Sequence, residues 1–128
     1  MSVSYQCVLD RYTKLTQLID DLNEILAINL QENEYKDAFL SLLNIEGFHY
    51  QFYVTCQDYL ENDRDLDFEN YDFILGVTLL DKYNFERQHI LIRDFFIAVL
   101  EQLAQKDENL THAMIVYDVQ AVLLRWFK

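Results

Sequence analysis

The sequence predicts an all-α protein, a single compact bundle-like domain of five or six helices spanning residues 1–128. Three observations carry that prediction. The chain has no proline and only two glycines, Gly47 and Gly76, whereas sheet proteins ordinarily need turn residues at roughly 8–12-residue intervals. From Tyr5 to Leu26 the apolar positions Tyr5, Val8, Tyr12, Leu15, Ile19, Leu22 and Leu26 step by threes and fours, the spacing of one helical face. The composition is 52% hydrophobic and 15% aromatic over 128 residues, enough for a core and against disorder despite the charge.

The first predicted helix is that stripe, widened by Leu9, Leu18 and Ile25. Polar residues from Asn29 to Asn33 break it. Asn33 is then the expected N-cap of a second helix facing inward through Tyr35, Phe39, Leu42 and Leu43, stopped near Gly47. The next stretch reads two ways. Phe48, Tyr50, Phe52, Val54 and Cys56 alternate as in a strand, while Phe48, Phe52, Cys56 and Leu60 also fit a helix face. An isolated strand is not stable, so 48–57 is assigned to a helix. Asp65 or Asp67 would cap the following helix, which carries Phe68, Tyr71, Leu75 and Leu79 inward, with Gly76 permitting a close approach by a neighbour. Asn84 would cap a long helix with Ile92, Phe96, Val99 and Leu103 in heptad spacing. A loop at Gln105–Asn109 precedes a last helix, His112–Phe127, apolar nearly all round and so central or facing a partner.

Charge is distributed unevenly. The formal net charge is −12, of which residues 1–57 carry −5, residues 58–72 carry −6 and residues 73–128 carry −1. The 58–72 run sets Asp58, Glu61, Asp63, Asp65, Asp67, Glu69 and Asp72 against the single base Arg64, and threads Tyr59, Leu66, Phe68 and Tyr71 between them. Such a surface repels nucleic acid and anionic membrane and attracts a basic protein. Local capping explains part of the acidity; the surplus, with aromatics as interface anchors, marks Asp58, Tyr59, Glu61, Asp63, Asp65, Asp67, Glu69, Tyr71 and Asp72 as the candidate partner-binding residues.

Motifs for chemistry are absent. Asp63, Asp65 and Asp67 open like a calcium loop, but Phe68 stands where glycine is required and Ile74 where a bidentate glutamate belongs. Two E-x-x-H pairs, Glu46/His49 and Glu86/His89, match half of a di-iron bundle site, yet Gly47 interrupts the first and only Glu24 is offered as a further ligand. Two glycines exclude a glycine-rich phosphate loop. The chain is therefore expected to be no enzyme and to carry no cofactor or metal. Cys7 and Cys56 have no metal spacing and are expected as free thiols. The start shows no signal-peptide pattern, and the longest apolar run, Phe95–Leu100, is too short to span a bilayer, which points to the cytoplasm.

In size, helical pattern, negative charge and the acidic and aromatic run at 58–72, the chain resembles the small acidic immunity proteins that bacteria make against their own nuclease toxins, of the colicin and contact-dependent growth inhibition types. That resemblance implies a basic toxin nuclease domain as partner, with Glu61, Asp63, Asp65, Asp67 and Glu69 in the places of substrate phosphates and Tyr59 and Tyr71 as anchors. Two alternatives use other premises. One is a phage-type nucleic-acid mimic, like an anti-CRISPR protein, presenting the same acids to a host protein. The other is a helical dimerisation or subunit module using the first heptad stripe or the last helix, although a homodimer is not the favoured reading.

Overall fold

In the computed structural model, which describes residues 4–58, 60–63, 66–81 and 85–128 (for 85–87, the backbone only), the predicted first helix opens instead as a strand. Among the described residues the chain forms seven strands and two α-helices: β1 (Ser4–Leu9), α1 (Leu15–Leu26), β2 (Gln31–Glu32), β3 (Phe39–Ile45), β4 (Phe48–Cys56), β5 (Phe73–Leu79), α2 (Phe85–Lys106), β6 (His112–Tyr117) and β7 (Ala121–Phe127). The strands make one antiparallel sheet in the order β2-β3-β4-β5-β1-β6-β7. The all-α bundle is thus corrected to a sheet carrying two helices.

Each misreading has a physical cause. β1, β5 and β6 lie at the centre of the sheet and are covered on both faces. Tyr5, Cys7 and Leu9, with Phe73, Leu75, Val77, Ala113 and Ile115, belong to the core under the helices, while Val8, Ile74, Met114 and Val116 belong to a second core on the other face. A strand buried on both faces loses the polar/apolar alternation that identifies it, and β6, which opens the predicted last helix, therefore mimics an all-apolar helix. The glycine argument fails because other residues take the left-handed backbone: Ala27 (φ 52°), Lys36 (58°), Glu46 (48°), Asp118 (52°) and Val119 (51°).

Asn33 is not a helix N-cap; its Oδ1 accepts from the amides of Asp37 (3.1 Å) and Ala38 (3.3 Å), closing the β2–β3 turn. Gly47 (φ 90°) and Glu46 form the two-residue turn of the β3–β4 hairpin, where positive φ at both central residues is the usual solution. The 48–57 segment is the strand its alternation suggested, paired along both edges to β3 and β5; it was never isolated. The predicted helix at Phe68–Leu79 is a short 3-10 turn, Phe68–Asn70, followed by β5, and the Asp67 side chain does not cap it. With β1 extended, the heptad stripe proposed for dimerisation does not exist as a helix face.

The long second helix is where the sequence put it. Ile92, Phe96, Val99 and Leu103 are all buried against the sheet, joined by Leu18, Ile19 and Leu22 of α1. Its proposed cap, Asn84, lies outside the described residues. The two helices meet, and Lys106 Nζ reaches Glu24 Oε2 at 3.2 Å, pairing Glu24 with a lysine. The close approach expected at Gly76 occurs across strands: the Tyr53 ring of β4 lies where a Cβ at 76 would be. Gly76→Ala is expected to displace that ring and break the Gln6–Tyr53 hydrogen bond (3.3 Å), costing about 1–3 kcal/mol. Urea melts of a double-mutant cycle with Tyr53→Ala should show most of that cost vanish when the ring is absent.

Candidate interaction surface

Between β4 and β5 the chain does not turn directly. It crosses the sheet face opposite the helices and forms a cover over it. The driving force is apolar: Leu66, Phe68 (3% exposed) and Tyr71 (2%) pack onto Val8, Ile74, Met114 and Val116, with Tyr53, Leu60, Val119 and Val122 around them. Leu66, Phe68 and Tyr71 of the acidic run are therefore the inner surface of this cover. Tyr71, expected as a partner anchor, is corrected to a buried core residue. Its hydroxyl lies 3.4 Å from Arg125 Nη1, and its ring meets His112 edge-on at 5.2 Å.

Polar contacts hold the cover's irregular backbone, as a buried loop requires. Gln57 acts as a staple: its Nε2 donates to the carbonyls of Leu60 (3.2 Å) and Phe68 (2.7 Å), and its Oε1 accepts from the Leu60 amide (2.8 Å). The Gln57 amide donates to Asp72 O at 2.7 Å, closing the neck of the loop. Asp63 and Leu66 exchange two backbone bonds (2.9 and 2.8 Å), and Asn62 Oδ1 accepts from the Glu69 amide at 2.9 Å. Asp67 Oδ1 lies 3.0 Å from Arg125 Nη1 of β7. Partial burial works to raise the Asp67 carboxyl's pKa, but the Arg125 contact outweighs it and the net shift is downward.

With apolar groups turned in, carboxylates are left outside. Among the described residues of the run, Asp58, Glu61, Asp63, Glu69 and Asp72 are exposed, while Asp67 is half-buried and paired with Arg125. Tyr59 and Asp65 lie outside the described residues. Composition flagged the cluster but missed its supports, Gln57, Asn62 and Arg125. Arg125 had a visible signal, since a lone charge in the apolar stretch 119–127 needs a partner.

Beside the cover a polar cleft of about 620 Å³ is lined by Asp10, Arg11, Asp67, Asn70, Glu108 and His112, among others. Asp10 is buried there. It accepts from the amides of Thr111 (3.1 Å) and His112 (3.2 Å) and from the Thr111 hydroxyl. Burial would raise its pKa, but these hydrogen bonds prevail and hold the carboxyl below the ordinary carboxylate range. A lowered pKa adds stability above the unfolded value near 4, and that stability is lost as pH falls through the folded value. Asp10→Asn, which sets an amide donor against donors, should cost about 1–3 kcal/mol at pH 7. The gap to wild type should narrow as pH drops from about 5 to about 2, which denaturant melts across that range would measure.

The Asp10–His112 contact (3.3 Å) locks the end of β1 to the start of β6, since both Asp10 oxygens are already engaged by that strand. Of the E-x-x-H pairs, Glu46 sits in a hairpin turn, His49 binds Asp81 (3.0 Å) and His89 meets Tyr5 Oη (2.7 Å). Among the described residues no four-helix ligand shell brings them together, and the Glu86 side chain lies outside those described. Among the described residues, no group of three or more His, Cys, Asp or Glu side chains is placed to hold a metal ion. Cys7 is buried, Cys56 is exposed, and both are free thiols. On the helix-bearing side, a shallow groove has Ile45, Phe48, Leu91 and Phe95 in its walls. No family model matches the chain, and neither a curated protein nor a solved structure is significantly similar to it.

Proposed function

We propose that this chain is an inhibitor of the immunity type, which binds a basic protein partner through the outer surface of the 58–72 cover. The partner in this reading is a toxin nuclease domain, met in the cytoplasm, and the chain itself performs no reaction. One observation carries the proposal: the cover turns Leu66, Phe68 and Tyr71 into a core of its own and leaves Asp58, Glu61, Asp63, Glu69 and Asp72 exposed. Carboxylates on a backbone held by the sheet are pre-organised, so little ordering entropy is lost on binding. Five of them on one short segment would sit against the lysines and arginines that otherwise grip phosphate.

The likeness to immunity proteins now rests on size, charge and this run, because its helical part fell with the fold. Arg125 neutralises Asp67 internally, so the binding set is narrower than composition suggested. Among the described residues no helix is long and apolar enough to cross a membrane, in keeping with a partner met in solution.

The test is to immobilise the chain, pass a lysate of its source cells over it at low ionic strength, and elute with rising salt. A basic nuclease-domain protein released by moderate salt, whose toxicity is relieved when this chain is co-expressed, supports the proposal. A nucleic-acid-binding host protein with no toxicity of its own would shift the reading to the mimic. Retention that ignores salt would refute an electrostatic surface.

A further inference from the structure

The helix-bearing side of the sheet is not closed everywhere. The core stripe of α2 runs through Ile92, Phe96, Val99 and Leu103, but its apolar surface continues sideways through Ile90, Leu91 and Phe95. At the end of the β3–β4 hairpin, Ile45 and Phe48 flank the Glu46–Gly47 turn. These five apolar side chains line one groove of about 470 Å³. Phe95 is a fixed wall, its ring edge-on to the buried Phe52 at 6.4 Å and tilted against Phe96 at 5.4 Å. Ile90 stays 57% exposed, so the fold leaves this apolar surface wet.

Two carboxylates, Glu46 and Asp94, share the lining. Asp94 is already engaged, because Arg93 reaches its Oδ1 through Nε and Nη2, each at 3.2 Å. Glu46 is exposed, and among the described residues no hydrogen bond or ion pair engages its carboxylate. It also stands at a left-handed backbone position (φ 48°), where a two-residue hairpin turn ordinarily takes Asn, Asp or Gly. Turn geometry therefore does not select glutamate here. The groove offers an apolar bed with one free negative charge beside it.

We propose that this groove binds a small hydrophobic amine, its apolar body against Phe48, Ile90, Leu91 and Phe95 and its ammonium beside Glu46. Size selects a small molecule. A cavity of roughly 150 Å³ holds benzene, and sites of about 300–1,000 Å³ hold larger ligands. The lining runs only from Ile90 to Phe95 along α2, about 8 Å of helix axis, which suits a ring with a short chain and not a peptide helix. Charge selects the cation: a neutral end group forgoes the ion pair, and a carboxylate meets Glu46 in a chain of −12. The groove lies on the helix side and the 58–72 cover on the other, so the site does not depend on what the cover binds.

Phenylbutylamine, phenylbutanol and phenylbutyrate, one body with three end groups, test this when titrated into the isotope-labelled chain and followed by amide chemical shifts. The amine should give saturable shifts confined to residues 45–48 and 90–95. The alcohol should bind about two- to fivefold more weakly, the worth of an exposed ion pair, and the acid more weakly still. Glu46→Gln should bring the amine down to the alcohol. Ile90→Lys, a surface change that should leave the melt unaltered, should prevent saturation by the amine. The proposal is overturned by shifts that do not saturate, by saturable shifts centred on 58–72, by an alcohol or acid that binds as tightly as the amine, or by amine affinity unchanged in Glu46→Gln. Groove amides protected only in the presence of a captured protein would also overturn it, assigning the groove to a macromolecule.

Discussion

Phe68→Ala is expected to cost about 3–5 kcal/mol of folding stability. It empties the middle of the second core, where Phe68 is 3% exposed against Val8, Ile74, Met114 and Val116. Little can collapse into that space, because the outer side of the cover is charged and the inner side is the rigid centre of the sheet. The loss should also be local in a measurable way. Amides of residues 60–63 and 66–72 should exchange much faster, while those of α2 and of β4 facing β3 keep their protection until global unfolding. Denaturant melts and hydrogen exchange measure the two parts. A cost below about 1 kcal/mol would mean that the cover is not packed as described.

The second large effect concerns binding. Replacing Asp58, Asp63 and Asp72 with Asn, and Glu61 and Glu69 with Gln, removes five exposed carboxylates and buries nothing. Folding stability should hold or rise slightly as self-repulsion falls. Association with the basic partner should slow by roughly 10–10³-fold at low salt, with a smaller change in dissociation. The salt dependence of the association rate should flatten as well. Asp67→Asn should behave differently, because it removes the carboxylate that pairs with Arg125, the residue that also donates to the Tyr71 hydroxyl, and so acts on the platform itself. Stopped-flow or interferometric rates across ionic strength would separate these effects.

These two predictions mark what the sequence disclosed and what it concealed. The charge of 58–72 was legible because carboxylates can be counted. The role of its aromatics was not, since a loop lying across a sheet has no fixed period to show which side chains point in. α2 was legible because one of its faces stays wet, so Ile92, Phe96, Val99 and Leu103 stand out at helical spacing. β4 was legible from its alternation, but the neighbours that stabilise it were not. β5, buried on both faces, shows no polar/apolar alternation, and β3, partly exposed on both, puts Leu42 (73% exposed) in the place of a polar residue. The scarcity of glycine misled for a definite reason: Glu46, Asp118 and Val119 adopt left-handed backbone at hairpin turns, a strain of about 1 kcal/mol or more at each that the flanking ladders sustain.

Hydrogen exchange on the isolated chain and on its complex with the basic protein it captures tests the central claim most directly. The account predicts that binding slows exchange at the exposed, acid-bearing positions of the cover, Asp58, Glu61, Asp63, Glu69 and Asp72, and leaves α1 and the groove beside Phe95 unchanged. Protection confined to the helices or that groove, with 58–72 exchanging as in the free protein, would contradict it.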